Sequence, residues 1–262
     1  MIIDVHTHAF GEQIAERTMS KLRDIIGRPP EYDGTVPGLK KAMAEAGIDH
    51  AVVLVIATKP SQHNTINAWA ASQDGGNITA FGSVHPACED PYAELVRIKD
   101  LGLKGIKIHP DYQGTEIDDP SYRPIFEGAQ ALGLIIEFHC GWDSVSPDHI
   151  HNSPDRLRKV LDDFPRLKVI GGHLGGHRMW DAVEEYLVGR DICLETSMCP
   201  GRLDPVQLRR ICDKHNPDRL LFGTDAPWKS MRESIDYVQS LALPGERAEK
   251  LFSGNARRLL GV

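Results

Sequence analysis

Eight short aliphatic or β-branched runs recur along the chain, each followed by a segment of helical period, and this alternation constrains the fold more than any other feature. The runs are MIIDV at the start, HAVVLVIA from His50, ITAFGSV from Ile78, LKGIKI from Leu103, LIIEF from Leu134, LKVIGG from Leu167, DICLETS from Asp191 and RLLFG from Arg219. Among the intervening segments, VPGLKKAMAEAG sets Val36, Leu39, Ala42, Met43 and Ala46 at the spacings of one helix face. Further helical patterns follow Pro60, Pro91, Pro120, Ser153, Trp180, Asp204 and Lys229. Strand then helix, repeated without a composition break, is the order of a parallel sheet with crossover helices. With 262 residues the chain suits a closed (β/α)8 TIM barrel, which uses roughly 250 residues as one domain, so a single α/β barrel domain over residues 1–262 is expected. An open doubly wound sheet is the rival, but the first β-to-α connection has no G-x-G-x-x-G and the chain has no P-loop. The stretch from Ala9 to Thr35 is long for a βα loop and is expected to be functional or to carry its own helix over the site.

Composition narrows the partners. Apolar residues make up 41% and charged residues 26%, enough for a sizeable core, so disorder is not the default. Thirty Lys plus Arg against 37 Asp plus Glu give a net charge of −7, with no dense basic run, which argues against nucleic acid and anionic membranes. A small-molecule substrate is the expected partner, and a homo-oligomer is allowed for. Five cysteines without a C-x-x-C pair read as reduced thiols; with no leader pattern and no apolar run of roughly 20 residues, a cytoplasmic location is expected.

His6 and His8 end the first run. Residues two apart on a strand share a face, so the pair can share one ion, although alone it reads equally well as a polar strand end. Of the 12 histidines, six sit at or just past a strand's C-terminal end: His6, His8, His85 in GSVHP, His109 in KIHP, His139 in EFHCG and His173 in GGHLGG. A barrel brings all these ends to one rim, where catalytic groups of the fold lie. FGTDAPW, after the eighth run, adds Asp225 to that rim as an oxygen ligand or base. A catalytic zinc site keeps about three protein ligands and an open position for water, and this set supplies them.

Taken together, IDVHTH, FHCG, GGHLGG, FGTDAPW and a closing GNARRLLG, spread from residue 4 to 261, resemble the amidohydrolase superfamily of metal-dependent barrel enzymes. The likeness is to its amidohydrolase-related branch, which includes aminocarboxymuconate-semialdehyde decarboxylase, the resorcylate decarboxylases and several lactone hydrolases. The resemblance implies that His6, His8, His139 and Asp225 bind one divalent ion, commonly zinc, with manganese as an alternative. It also implies that His173 stands beside the ion to orient or deprotonate bound water. Other branches hold two metals bridged by a carboxylated lysine of strand four, a position that Lys107 invites comparison with. Lys107 precedes His109 by two residues and Glu137 precedes His139 by two, so both are expected to enter the barrel below the rim. An ion pair between them is expected, because an unpaired interior charge is strongly penalised; a carboxylated Lys107 with a second metal is the alternative.

The expected reaction is hydrolysis of a C–O or C–N bond in a lactone, ester or amide, with His173 or Asp225 moving the proton. The alternative on the same ligands is decarboxylation of an aromatic or unsaturated carboxylic acid. Arg178 in HLGGHRMW is the best-placed carboxylate clamp for it, though an exposed surface arginine is the plain reading. A barrel that binds metal or ligand without turnover is the third reading, disfavoured because His173 and Asp225 are both present. His109 is expected to contact substrate and Trp228 to wall the pocket, against a packing role. Asp4 is expected to orient an imidazole through its second nitrogen, or else to cap backbone groups. His149, His151 and His177 are assigned no role.

Overall fold

The computed structural model describes residues 1–262, whose backbone forms a ring of eight parallel strands. These are β1 (Ile3–Thr7), β2 (His50–Leu54), β3 (Ile78–Phe81), β4 (Gly105–Ile108), β5 (Ile135–Phe138), β6 (Lys168–Gly171), β7 (Cys193–Glu195) and β8 (Leu220–Leu221). Pairing runs β1-β2-β3 in one arc and β4 through β8 in the other. Two seams close the ring. At one, the Gly82 nitrogen donates to Gly105 O at 2.9 Å and the Lys107 nitrogen to Gly82 O at 2.7 Å. At the other, Val5 N donates to Phe222 O at 2.9 Å, Asp225 N to His6 O at 2.8 Å and His8 N to Ala226 O at 2.8 Å.

The strands are buried on both faces, which is why they read as continuous apolar runs. One face of the ring (Ala51, Val53, Ala80, Ile106, Ile136, Val169) joins helix residues such as Leu39, Met43, Leu95, Ile98 and Leu157 in one apolar cluster. Ile3, Val52, Leu54, Phe81, Ile135, Ile170 and Leu221 form a second cluster with Ala256 and Leu260. Residues from opposite sides of a closed ring meet only through its lumen, so this second cluster is the barrel floor.

Helices begin where the sequence supplies caps. Thr35, Asp90, Asp204 and Ser230 each accept a first-turn N–H, and Pro91 and Pro205 follow two of them at the first helical position. The Ala9–Thr35 segment carries helix α1 (Glu12–Ile26), ended by Gly27 in the left-handed conformation at φ 76°. The segment lies over the rim: Tyr32 Oη donates to His8 O at 2.6 Å and Glu31 N to Pro227 O at 2.9 Å. No helix is long and apolar enough to cross a membrane.

Candidate active site

Three of the four expected ligands come together at the seam where β8 returns to β1. Asp225 Oδ1 stands 3.1 Å from His8 Nε2 and 3.6 Å from His6 Nε2. Asp225 sits at φ 69°, a strained position for a non-glycine residue, and the backbone bonds across the seam fix it there. His8 Nδ1 lies 3.1 Å from Leu54 O, so that carbonyl accepts the Nδ1 proton and leaves Nε2 with its lone pair toward Asp225. His6 is likewise presented through Nε2. Its Nδ1 lies 3.0 Å from Glu195 Oε1, which accepts its proton, and Glu137 Oε1 stands 3.1 Å away. Burial, together with Lys107 and the neighbouring imidazoles, holds His6 well below the ordinary histidine range, in the neutral form that binds a metal.

Glu195 was not among the residues the strand-end pattern selected. Its carboxylate also accepts from the backbone nitrogens of His173 and Ser197, each at 2.6 Å, and from Ser197 Oγ at 2.6 Å. Burial pushes this carboxyl up to about 7 against those donors. The signal available was a lone acidic residue inside an otherwise apolar strand.

Asp4 takes the backbone role, not the imidazole one. Its carboxylate accepts from His6 N at 3.1 Å, Thr224 N at 3.0 Å and Thr224 Oγ1 at 2.5 Å, and so straps β1 to the segment carrying Asp225. A register shift between Asp4 and Thr7 interrupts the two-residue alternation that the expectation relied on. Burial raises this carboxyl to about 8.

Lys107 and Glu137 are register partners on β4 and β5, both fully buried, with Nζ 3.5 Å from Oε1. Lys107 Nζ also lies 3.3 Å from His6 Nε2. His139 is attached to the first group through His173: His139 Nδ1 and His173 Nε2 are 3.0 Å apart, and His173 Nδ1 lies 2.6 Å from Ser197 Oγ. The His173 ring stacks on His6 with centroids 4.9 Å apart. His139 Nε2 faces away from the first group, toward Asp111 and Asp143. His109 stacks on His139 at 4.1 Å with planes 10° apart.

His6, His8, His109, His139, His173 and Asp225 open into one cavity of about 1420 Å³, also lined by α1, Trp142, Trp228 and Arg178. Trp228 is buried and does wall this cavity. Arg178 lies over the Trp142 ring, its guanidinium carbon 3.7 Å from the centroid. Arg28 and Arg202 line the same cavity, and each depresses the neighbouring His177, which burial and these cations push down to about 3. None of the three arginines has a carboxylate partner within 4.0 Å. His85 stays outside the cavity, its Nδ1 accepting from Ala87 N at 3.0 Å.

A parallel (β/α)8 barrel with neutral imidazoles and a strand-eight aspartate on its C-terminal rim defines the amidohydrolase class of barrel enzymes. The Amidohydrolase family model matches residues 3–262, and the chain belongs to this family. It is 36% identical over 232 residues to 2-amino-3-carboxymuconate-6-semialdehyde decarboxylase of Dictyostelium discoideum, an alignment covering 74% of this chain and 64% of that relative's length. It is 24% identical over 294 residues to 2-pyrone-4,6-dicarboxylate hydrolase of Comamonas testosteroni, covering 98% of this chain and 89% of the relative. Among solved structures, 5-carboxyvanillate decarboxylase of Novosphingobium aromaticivorans, complexed with manganese, superposes with a TM-score of 0.75 at 16% identity, over 100% of this chain and 96% of that one. Manganese binding is thus present among the proteins that share this fold. Both decarboxylases and hydrolases stand among the relatives, and the match at 36% identity favours decarboxylation, the alternative expected from the sequence, over hydrolysis.

Proposed function

We propose that the protein is a metal-dependent, non-oxidative decarboxylase of a small unsaturated or aromatic carboxylic acid, acting in the cytoplasm. The observation that carries this reading is the cavity itself, whose lining holds both the His6–His8–Asp225 group and three arginines without carboxylate partners. Unpaired guanidinium groups facing a catalytic rim favour an anionic substrate. The 36% identity to a carboxymuconate-semialdehyde decarboxylase supports the choice of reaction.

Two neutral imidazole nitrogens and one carboxylate oxygen fit a divalent ion of the zinc or manganese type and leave positions for other ligands. An ion bound there would supply positive charge that favours an anionic oxygen of the substrate. Arg178, whose guanidinium lies over the Trp142 ring, binds the substrate carboxylate, and Arg28 and Arg202 strengthen the field. The carbon–carbon bond to the carboxylate then breaks, CO₂ leaves, and the electron pair remains on carbon. A proton carried by His173 or Asp225 and replaced from solvent goes to that carbon, so one proton is consumed per CO₂ released. α1 and Trp228 cover the rim and limit access of bulk water.

Hydrolysis of a lactone is the second reading, favoured by the alignment to a pyrone-dicarboxylate hydrolase over 98% of the chain. The manganese-loaded protein, given carboxymuconate-type and hydroxybenzoate acids, is expected to release CO₂ with loss of the substrate carboxyl. Ring opening of pyrone or muconolactone substrates with no CO₂ from any acid would replace decarboxylation by hydrolysis.

A further inference from the structure

We propose that Tyr112, just past β4, donates a hydrogen bond from its hydroxyl to the substrate oxygen on which negative charge grows during the reaction. This assignment rests on the cavity's role as the active site. It points to an acid whose reacting carbon is conjugated with a carbonyl or enol oxygen. The strand-end pattern pointed to His109, three residues earlier, for the contact with substrate.

Tyr112 stands on a single helical turn, Pro110–Gln113, that opens where β4 reaches the rim. Its neighbour Gln113 pins that turn. The Gln113 side-chain amide donates to Ala57 O at 3.1 Å and to Val84 O at 3.0 Å, past the ends of β2 and β3, and Oε1 accepts from Tyr122 Oη at 2.8 Å. Gln113 N donates to His109 O at 3.0 Å. The Tyr112 ring meets the His109 ring edge to face, with centroids 4.4 Å apart and planes at 85°. Both side chains line the cavity, His109 buried and Tyr112 half-buried, so Tyr112 is the more accessible of the two.

The hydroxyl is the part left free. Tyr32, Tyr122 and Tyr237 each donate to a protein oxygen: His8 O at 2.6 Å, Gln113 Oε1 at 2.8 Å and Leu203 O at 2.6 Å. Tyr112 Oη makes no hydrogen bond within the chain, although it is enclosed and has the carboxylates of Asp143, Asp225 and Asp111 nearby. Burial and those charges hold the phenol above the ordinary tyrosine range, so it stays protonated and acts as a donor. Asp225 belongs to the His6–His8 group, so a hydroxyl within reach of its charge stands beside the candidate reacting centre. A fixed ring with a free O–H at that place is a donor oriented before substrate arrives.

When the carbon–carbon bond breaks and CO₂ leaves, the electron pair stays with the carbon and is shared with the conjugated oxygen. Charge on that oxygen is greater in the transition state than in the bound acid, so the hydrogen bond from Tyr112 strengthens there and acts on kcat. The phenol keeps its proton throughout, and the proton that the carbon takes up comes from His173 or Asp225. Arg178 differs, since it holds the carboxylate that is lost. In lactone hydrolysis the same donor would meet the carbonyl oxygen under attack.

Tyr112→Phe removes the hydroxyl and keeps the ring against His109. In the Mn²⁺-loaded full chain, kcat for CO₂ release from carboxymuconate-type acids is expected to fall about 10²–10³-fold, the usual loss for one donor to a developing oxyanion, with KM little changed. Metal content by elemental analysis and the midpoint of urea unfolding are expected to match wild type. An unchanged kcat overturns the assignment, and so does a rise in KM alone. A loss of activity that comes with loss of Mn²⁺ or of stability makes Tyr112 a structural residue and overturns it as well. Ring opening of pyrone or muconolactone substrates without CO₂ would replace decarboxylation only, and the same comparison of kcat on that reaction then decides the role of Tyr112. Wild type that turns over none of these acids or lactones overturns both.

Discussion

Glu195 Oε1 stands 3.0 Å from His6 Nδ1 and so joins β7 to β1 across the inside of the barrel. A carboxylate at that position accepts the Nδ1 proton and fixes the tautomer in which Nε2 carries the lone pair. The same carboxylate holds the backbone of His173, so one side chain sets both a candidate ligand and a candidate proton carrier.

Glu195→Gln keeps the shape of the side chain but can turn an amide N–H toward His6. Metal affinity is expected to fall about 10–100-fold, the usual cost of losing an outer partner of a ligating histidine. Isothermal titration with Mn²⁺ on the stripped protein measures it. Unchanged affinity would mean that Glu195 does not set the His6 tautomer.

Asp225→Asn removes a charged oxygen from the His6–His8 group and a candidate proton carrier at once. Turnover is expected to drop about 10²–10⁴-fold, with loss of bound metal in the same variant. Steady-state rates and elemental analysis are read together. Full activity in this variant would remove Asp225 from the mechanism.

Arg178→Met keeps apolar contact with Trp142 while removing the charge. A charge-assisted hydrogen bond to substrate contributes about 1.5–3 kcal/mol, which sets an expected rise in KM of about 10–150-fold. No fall in kcat is expected, because the carboxylate that the arginine holds in the bound substrate gives up its charge to carbon as CO₂ leaves. A purely structural arginine would leave KM unchanged.

His177→Asn tests the electrostatics under the arginines. Burial and the facing Arg202, Arg178 and Arg28 push His177 from an ordinary value near 6.5 down to about 3 in the folded protein. Between those values the unfolded chain binds a proton that the folded chain refuses, so wild type loses stability as pH falls through that window. Relative to wild type, the variant is therefore expected to gain stability from pH 7 to pH 4 in urea unfolding. A difference that stays constant with pH would contradict the depressed value.

Lys107→Met leaves Glu137 without its cation in the barrel interior. Breaking a buried pair from one side costs about 3–5 kcal/mol when the remaining charge persists. Burial already holds the Glu137 carboxyl well above the usual carboxylate range, so it protonates and the expected destabilisation falls below that figure. Urea unfolding at pH 6 and pH 8 measures it, with the larger loss expected at pH 8, where protonation is harder.

Periodicity alone was enough to read the barrel, because eight apolar runs between amphipathic helices admit few other closed arrangements. The rim histidines were legible for the same reason, since a parallel barrel carries every strand's C-terminal end to one side. Glu195 was not legible, because a single acid inside DICLETS does not announce that it reaches across the lumen to His6. Asp4 shows the limit of the two-residue rule: a register shift within β1, set by pairing with β2, turned an expected imidazole partner into a backbone strap. Arg28 and Arg202 lie far apart in the chain from Arg178, and only folding brings them to one cavity. By itself the sequence determined which residues stand on the rim, because strand and helix periods are local properties. The tertiary structure alone decided which ring nitrogens face which carboxylates, because side-chain direction is set by partners supplied from other strands.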